Sequence, residues 1–203
     1  MKRSLSLVPT LLLIALATAT ALMLSAPVTY AVPMTFVTNL AGANEVPAVP
    51  SPGTGFAAVV LDPTAQTIQI NVGFSGLTSP DAMAHIHCCA PLGTNVGVAT
   101  TLPAFPGFPL GVTSGSYISA VFDLTQPTIY NPAFVTMQGG LSQAEAAFIA
   151  GIQNGLTYLN IHTTTFPGGE IRGQLFPPIP EPSTFLLLGS GLAGLLLWRK
   201  QTP

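Results

Sequence analysis

The stretch Thr67-Ile68-Gln69-Ile70-Asn71-Val72-Gly73-Phe74 places an apolar side chain at every second position. Successive side chains of a strand face opposite sides, so this period of two marks a strand with one face in a core and the other toward water. Working upstream, Asp62-Pro63 is a turn signal, preceded by a second run, Gly55-Phe56-Ala57-Ala58-Val59-Val60-Leu61, and by a third over residues 35–40 beyond the proline-rich residues 47–52. Downstream, residues 82–88 alternate again, with Met83, His85 and His87 on one face and Ala84, Ile86 and Cys88 on the other. Residues 96–102, 115–124, 156–163 and 170–176 are the remaining strand candidates, with Phe166-Pro167-Gly168-Gly169 turning between the last two. The proline-rich residues 103–111 read as a long loop. Ser142-Gln143-Ala144-Glu145 has the form of a capping box and opens the one predicted helix, carried on by residues 146–153 and stopped at Asn154-Gly155. About eight strands and one short helix predict an all-β antiparallel Greek-key sandwich.

Composition narrows the function. Charged residues are 6% of the chain, and between the two terminal apolar segments Arg172 is the only Lys or Arg. A nucleic-acid binder needs a basic stripe, so that class is excluded. Twenty Gly and twenty Pro are scattered as punctuation between short strands, without a repeat. The six acids of the middle region are Glu45, Asp62, Asp81, Asp123, Glu145 and Glu170.

The ends speak of destination. Lys2 and Arg3 precede an apolar run over residues 5–24, the pattern of a secretory signal peptide, with Thr29 and Ala31 supplying small side chains for cleavage after residue 31. An uncleaved anchor is the alternative. At the other end, Pro180-Glu181-Pro182-Ser183 leads into an apolar stretch to Trp198 and then Arg199-Lys200. As a helix at ~1.5 Å per residue that stretch is marginal against a hydrocarbon core of about 30 Å. Basic residues flank both apolar runs, so the positive-inside rule puts both termini in the cytoplasm and the middle outside before processing. The expected organisation is 1–31 signal peptide, 32–178 sandwich domain, and 179–203 sorting and anchor segment with a transmembrane-like helix. This tail closely resembles the PEP-CTERM sorting signal of Gram-negative bacteria, with Pro180, Glu181 and Pro182 as its motif. That resemblance implies processing by an exosortase-type membrane protease, and often company with exopolysaccharide and biofilm.

Chemistry concentrates in three histidines. His85 and His87 lie on one strand face, about 7 Å apart between Cα atoms, a chelating geometry if His162 arrives from a neighbouring strand. Cys88 and Cys89 would put soft sulfur nearby, and Glu45 and Glu170 are candidate carboxylates. The competing reading makes the histidines a structural cluster bonded to carbonyls. The adjacent cysteines are open to a free, vicinal-bonded or intermolecular state. Arg172 lies two residues from Glu170 and reads as one half of a structural ion pair, with Glu45 as its other half.

Asn39-Leu40-Ala41-Gly42-Ala43-Asn44-Glu45-Val46-Pro47, Ala84-His85-Ile86-His87, Gly155-Leu156-Thr157-Tyr158-Leu159-Asn160-Ile161-His162-Thr163 and Phe166-Pro167-Gly168-Gly169-Glu170-Ile171-Arg172-Gly173-Gln174-Leu175 resemble, in order, the motifs of a CHRD domain. The resemblance implies an extracellular sandwich, immunoglobulin-like or Cu,Zn superoxide dismutase-like, without a defined activity. The H-x-H strand is similar to the copper strand of that dismutase, which uses more histidines than this chain has. The favoured expectation is an exported, non-enzymatic envelope or extracellular-matrix protein binding exopolysaccharide or another surface protein, with no catalytic residues. A module holding one Cu or Zn ion through His85, His87 and His162 is the alternative, and a dismutase-like redox enzyme the third reading.

Overall fold

A computed structural model describes residues 33–176 of the chain. The predicted signal peptide, the PEP motif and the C-terminal helix lie outside these residues. Within them no helix is long and apolar enough to cross a membrane.

The architecture is the all-β antiparallel fold expected, with eight strands. They are β1 (Met34–Ala41), β2 (Thr54–Asp62), β3 (Thr67–Ser75), β4 (Asp81–Cys88), β5 (Gly115–Ile118), β6 (Phe122–Asp123), β7 (Thr157–Thr163) and β8 (Ile171–Leu175). All join one curled sheet in the order β4-β7-β8-β1-β2-β3-β5, with β6 also on β3. The period-two reading of β3 holds residue by residue: Ile68, Ile70, Val72 and Phe74 are buried and their neighbours half-buried or, at Ser75, exposed. Across β2 the same inner face presents Ala57, Val59 and Leu61. The sheet's central strands β7 and β8 are buried along their whole length, on both faces. One face carries Leu159, Ile161, Ile171 and Leu175 into the apolar core with Ala84 and Ile86 of β4. The other carries the polar side chains taken up below.

Three local expectations need correction. Residues 96–102 form no named strand but cross the open edge of β4, where Ala99 N–H bonds the Ile86 carbonyl and Thr100 Oγ1 accepts from Ile86 N–H at 2.9 Å. A side chain thus takes a ladder partner's place and covers an edge that would otherwise invite foreign strands. Residues 115–124 break into β5 and β6 at Ser119, whose Oγ accepts from Ile70 N–H at 2.8 Å in place of a backbone carbonyl while its own N–H still donates to the Ile70 carbonyl. And the described residues hold two α-helices where the sequence predicts one: α1 (Pro132–Gln138) and α2 (Leu141–Gln153). Asn131 caps α1 through Ala133 N–H with Pro132 behind it, and Gly139 ends it at φ 91°. α2 starts at Gly140 without any side-chain cap, so the Ser142–Glu145 box is not formed. Glu145 is turned to Gln66 Nε2 instead. Both helices pack Phe134 and Phe148 against Tyr130, closing the core at that end.

Candidate metal centre

Antiparallel register builds the site. Met83 pairs with His162, His85 with Asn160 and His87 with Tyr158 between β4 and β7, and Asn160 pairs onward with Arg172 and Tyr158 with Gln174 of β8. Alternation then sets His85, His87, Tyr158, Asn160, His162, Arg172 and Gln174 on the face away from the apolar core. All seven are buried. The 3-10 turn Gly42–Asn44 with Glu45, the residues around Asn95, and the turn over residues 165–169 overlie this face.

The three histidines converge. Their ligand atoms all lie within 4.8 Å of one another, and their relative exposures are 1%, 8% and 5% for His85, His87 and His162. His87 Nδ1–H donates to the Val96 carbonyl at 2.7 Å, and His162 Nδ1–H to the Pro167 carbonyl at 3.0 Å. Each bond fixes the tautomer and leaves the Nε2 lone pair free, the arrangement by which backbone carbonyls orient metal-binding imidazoles. Tyr158 stacks on the His87 ring at 4.5 Å and holds its plane. His85 Nδ1, His87 Nε2 and His162 Nε2 are buried without a hydrogen-bond partner. Leaving such an atom unsatisfied costs about 1–3 kcal/mol, so three in one place ask for an occupant. A purely structural cluster would have tied these nitrogens up. An ion at about 2.0–2.1 Å from each would need nitrogens roughly 3.3–3.6 Å apart, so the rings have about 1 Å to close.

The surroundings keep the three rings unprotonated. Burial first, and then the neighbouring His162 and His87, push His85 down to about 3. Burial likewise takes His87 down to about 4 against the opposing bond to Val96, and lowers His162 against its bond to Pro167. All three rings are therefore neutral, the form that ligates metal.

The other sequence candidates separate. Cys88 and Cys89 are joined to each other by a disulfide, and Cys88 faces the core, where its Sγ and that of Cys89 lie against Gly151 of α2. They are not near-side ligands, because alternation turns Cys88 away from the face that His87 occupies. Glu170 is held elsewhere: burial would raise its carboxyl, but bonds from Ser51, Thr163 and Thr78 more than offset that and lower it. Glu45 lies beside Asn160 and Gly169, with burial raising its carboxyl to about 7 against the opposing pull of Arg172 and Asn160. The expected Arg172–Glu45 ion pair is replaced by bonds from Arg172 to the Asn44 carbonyl at 2.6 Å and Asn95 Oδ1 at 2.7 Å, with the guanidinium over the Tyr158 ring. Asn160 and Tyr158 went unnoticed in the sequence, though their i, i+2 spacing from His162 put them on its face. A cleft of about 300 Å³, lined by Glu45, Asn95 and residues 165–169 among others, opens beside this layer.

Comparison with known proteins agrees with the motif resemblances. The family model of the CHRD domain matches residues 36–175, well over half of the chain, and that of the PEP-CTERM protein-sorting motif matches residues 178–201, which include Pro180, Glu181 and Pro182. Neither the curated proteins nor the solved structures contain a match. The sorting motif marks an exported, envelope-directed protein processed by an exosortase. The chain belongs to the CHRD domain family and carries a C-terminal PEP-CTERM motif.

Proposed function

We propose that the exported domain is a non-enzymatic metal-binding module of the cell envelope, holding one zinc or copper ion through His85, His87 and His162. The observation that carries this reading is the trio of buried, unpartnered ring nitrogens, two of them on rings fixed by backbone carbonyls. Support for binding over catalysis comes from burial: rings at most 8% exposed leave little room for the open, solvent-facing position a dismutase-type metal needs. The domain structure of 1–31 signal, 32–178 domain and 179–203 sorting segment belongs to the same proposal, as does final placement at the outer surface or in the matrix.

A second reading, a contact module for exopolysaccharide or another surface protein in a biofilm, has its own observation. Val37, Phe56, Ile118 and Phe176 are 48–77% exposed. Val37 and Ile118 share the outer sheet face through the register Val37–Ala58–Asn71–Ile118, and Phe176 bridges Val37. The two readings are compatible, since this apolar face and the histidine layer occupy different strands.

The test is metal content and Zn(II) and Cu(I) affinity of the full chain, compared with His85→Ala and His162→Ala. One ion per chain, lost in both variants, is expected. No stoichiometric ion in the wild-type protein would remove the metal reading and leave the contact module.

A further inference from the structure

Six buried side-chain atoms of the polar layer lack hydrogen-bond partners: the three histidine nitrogens, Glu45 Oε1, Asn160 Oδ1 and Arg172 Nη2. The histidines account for three. Of the others, two are oxygens with free lone pairs and one is an N–H, so the layer as a whole has a surplus of electron-pair donors. Such a surplus is complementary to positive charge.

Glu45 is the acid placed to supply negative charge. It is 7% exposed and lies beside Asn160, whose Cα stands directly opposite that of His85 in the β4–β7 register. Its Oε1 and the Asn160 amide both press on Gly169, where an added Cβ would stand 2.8 Å from Oε1 and 2.5 Å from Asn160 Nδ2. Gly169 is two residues from Pro167, whose carbonyl orients His162. Asn160 and the turn over residues 167–169 are thus shared between the surroundings of the carboxylate and those of the histidine cluster. Arg172 pulls on this carboxylate through its charge but directs its hydrogen bonds elsewhere, donating Nε and Nη1 to the neutral oxygens of Asn44 and Asn95.

Three neutral imidazoles bring no charge to offset an ion taken out of water, and a divalent ion suffers more from that than a monovalent one. We propose that Glu45, positioned by Asn160 and Gly169, is the charge-compensating carboxylate of the centre and makes it selective for a divalent ion, Zn(II) or Cu(II), over Cu(I). Glu45 is here a positioning and charge-balancing residue behind the histidines. The proposal rests on the three-histidine reading.

The experiment titrates the full chain, purified in detergent, with Zn(II) and, anaerobically, with Cu(I), for wild type, Glu45→Gln and Glu45→Asp. Loss of an outer carboxylate around a metal typically costs about 10–100-fold in affinity. Coulomb energy scales with the charge of the ion, so Cu(I) should weaken by about the square root of that, roughly 3–10-fold. The Cu(I)-to-Zn(II) affinity ratio of Glu45→Gln then rises about 3–10-fold, and Glu45→Asp, which keeps the charge, returns it toward wild type. An unchanged ratio in Glu45→Gln overturns the proposal, whether both affinities stay the same or fall together. Wild-type protein that binds neither ion overturns the three-histidine reading itself, an outcome distinct from a wild type that binds and a Glu45→Gln that matches it.

Discussion

A buried imidazole with an unused lone pair is an unstable thing to keep in a fold, and the polar layer keeps three. Protons are the first competitor for those lone pairs. His85 and His87 are held near 3 and 4, below the ordinary 6.5, so as pH falls the unfolded chain takes up protons that the folded chain refuses. Their contribution is complete above about 6.5 and is lost progressively below it. Glu45 acts with the opposite sign: its carboxyl is raised from 4.5 to about 7, so its contribution is complete below about 4.5 and is lost as pH rises toward 7. Three histidines outweigh one carboxyl, and the metal-free protein should lose on the order of 2 kcal/mol between pH 7 and pH 5, read from urea unfolding midpoints. Gly169 gives a second residue-scale expectation. At φ 125°, with Asn160 and Glu45 where a Cβ would go, Gly169→Ala should destabilise by about 1–3 kcal/mol and weaken zinc binding together, checked by unfolding and titration of one sample. The histidines themselves could be read from the sequence, because the H-x-H spacing on an alternating strand fixes a shared face. The cysteines were misplaced by the same kind of spacing: being next to His87 in the chain puts Cys88 on the opposite side of the sheet.

At the scale of elements, the strands that alternate were the readable ones. β2 and β3 show period two because one face meets the core and the other does not, while β4 alternates in residue type between two buried faces, one apolar and one polar. Residues 96–102 alternate as well, yet Thr100 replaces a ladder bond with its hydroxyl, and no pattern of hydrophobicity reports that. The helices show the same divide. Asn131-Pro132 is a good start signal that went unread, while the Ser142–Glu145 box was read and is not formed, since Glu145 is buried and bonded to Gln66. Asn131→Ala should therefore cost about 1 kcal/mol, the usual value of an N-cap. Ser142→Ala should change stability by less than about 0.5 kcal/mol, since Ser142 caps nothing. Equal effects in thermal unfolding of the two variants would contradict this assignment of the helix starts.

At the scale of the molecule, the sheet order is what makes the site, and it was not written in any local pattern. β4 and β7 are separated by some seventy residues that contain the long loop, β5, β6 and both helices, yet they pair directly, and β8 then sets Arg172 beside Asn160. That pairing turns two histidines two residues apart and one distant histidine into a single cluster. It also separates the cluster from the exposed apolar residues of β1, β2 and β5, so an exported protein of this kind can hold an ion and meet a surface at once. The most direct test of the central claim is X-ray absorption at the zinc or copper edge on the metal-loaded full chain. Three imidazole nitrogens at about 2.0–2.1 Å, with their outer-shell ring scattering and no sulfur, are expected. A sulfur shell from Cys88 or Cys89, or a metal without imidazole scattering, would contradict it.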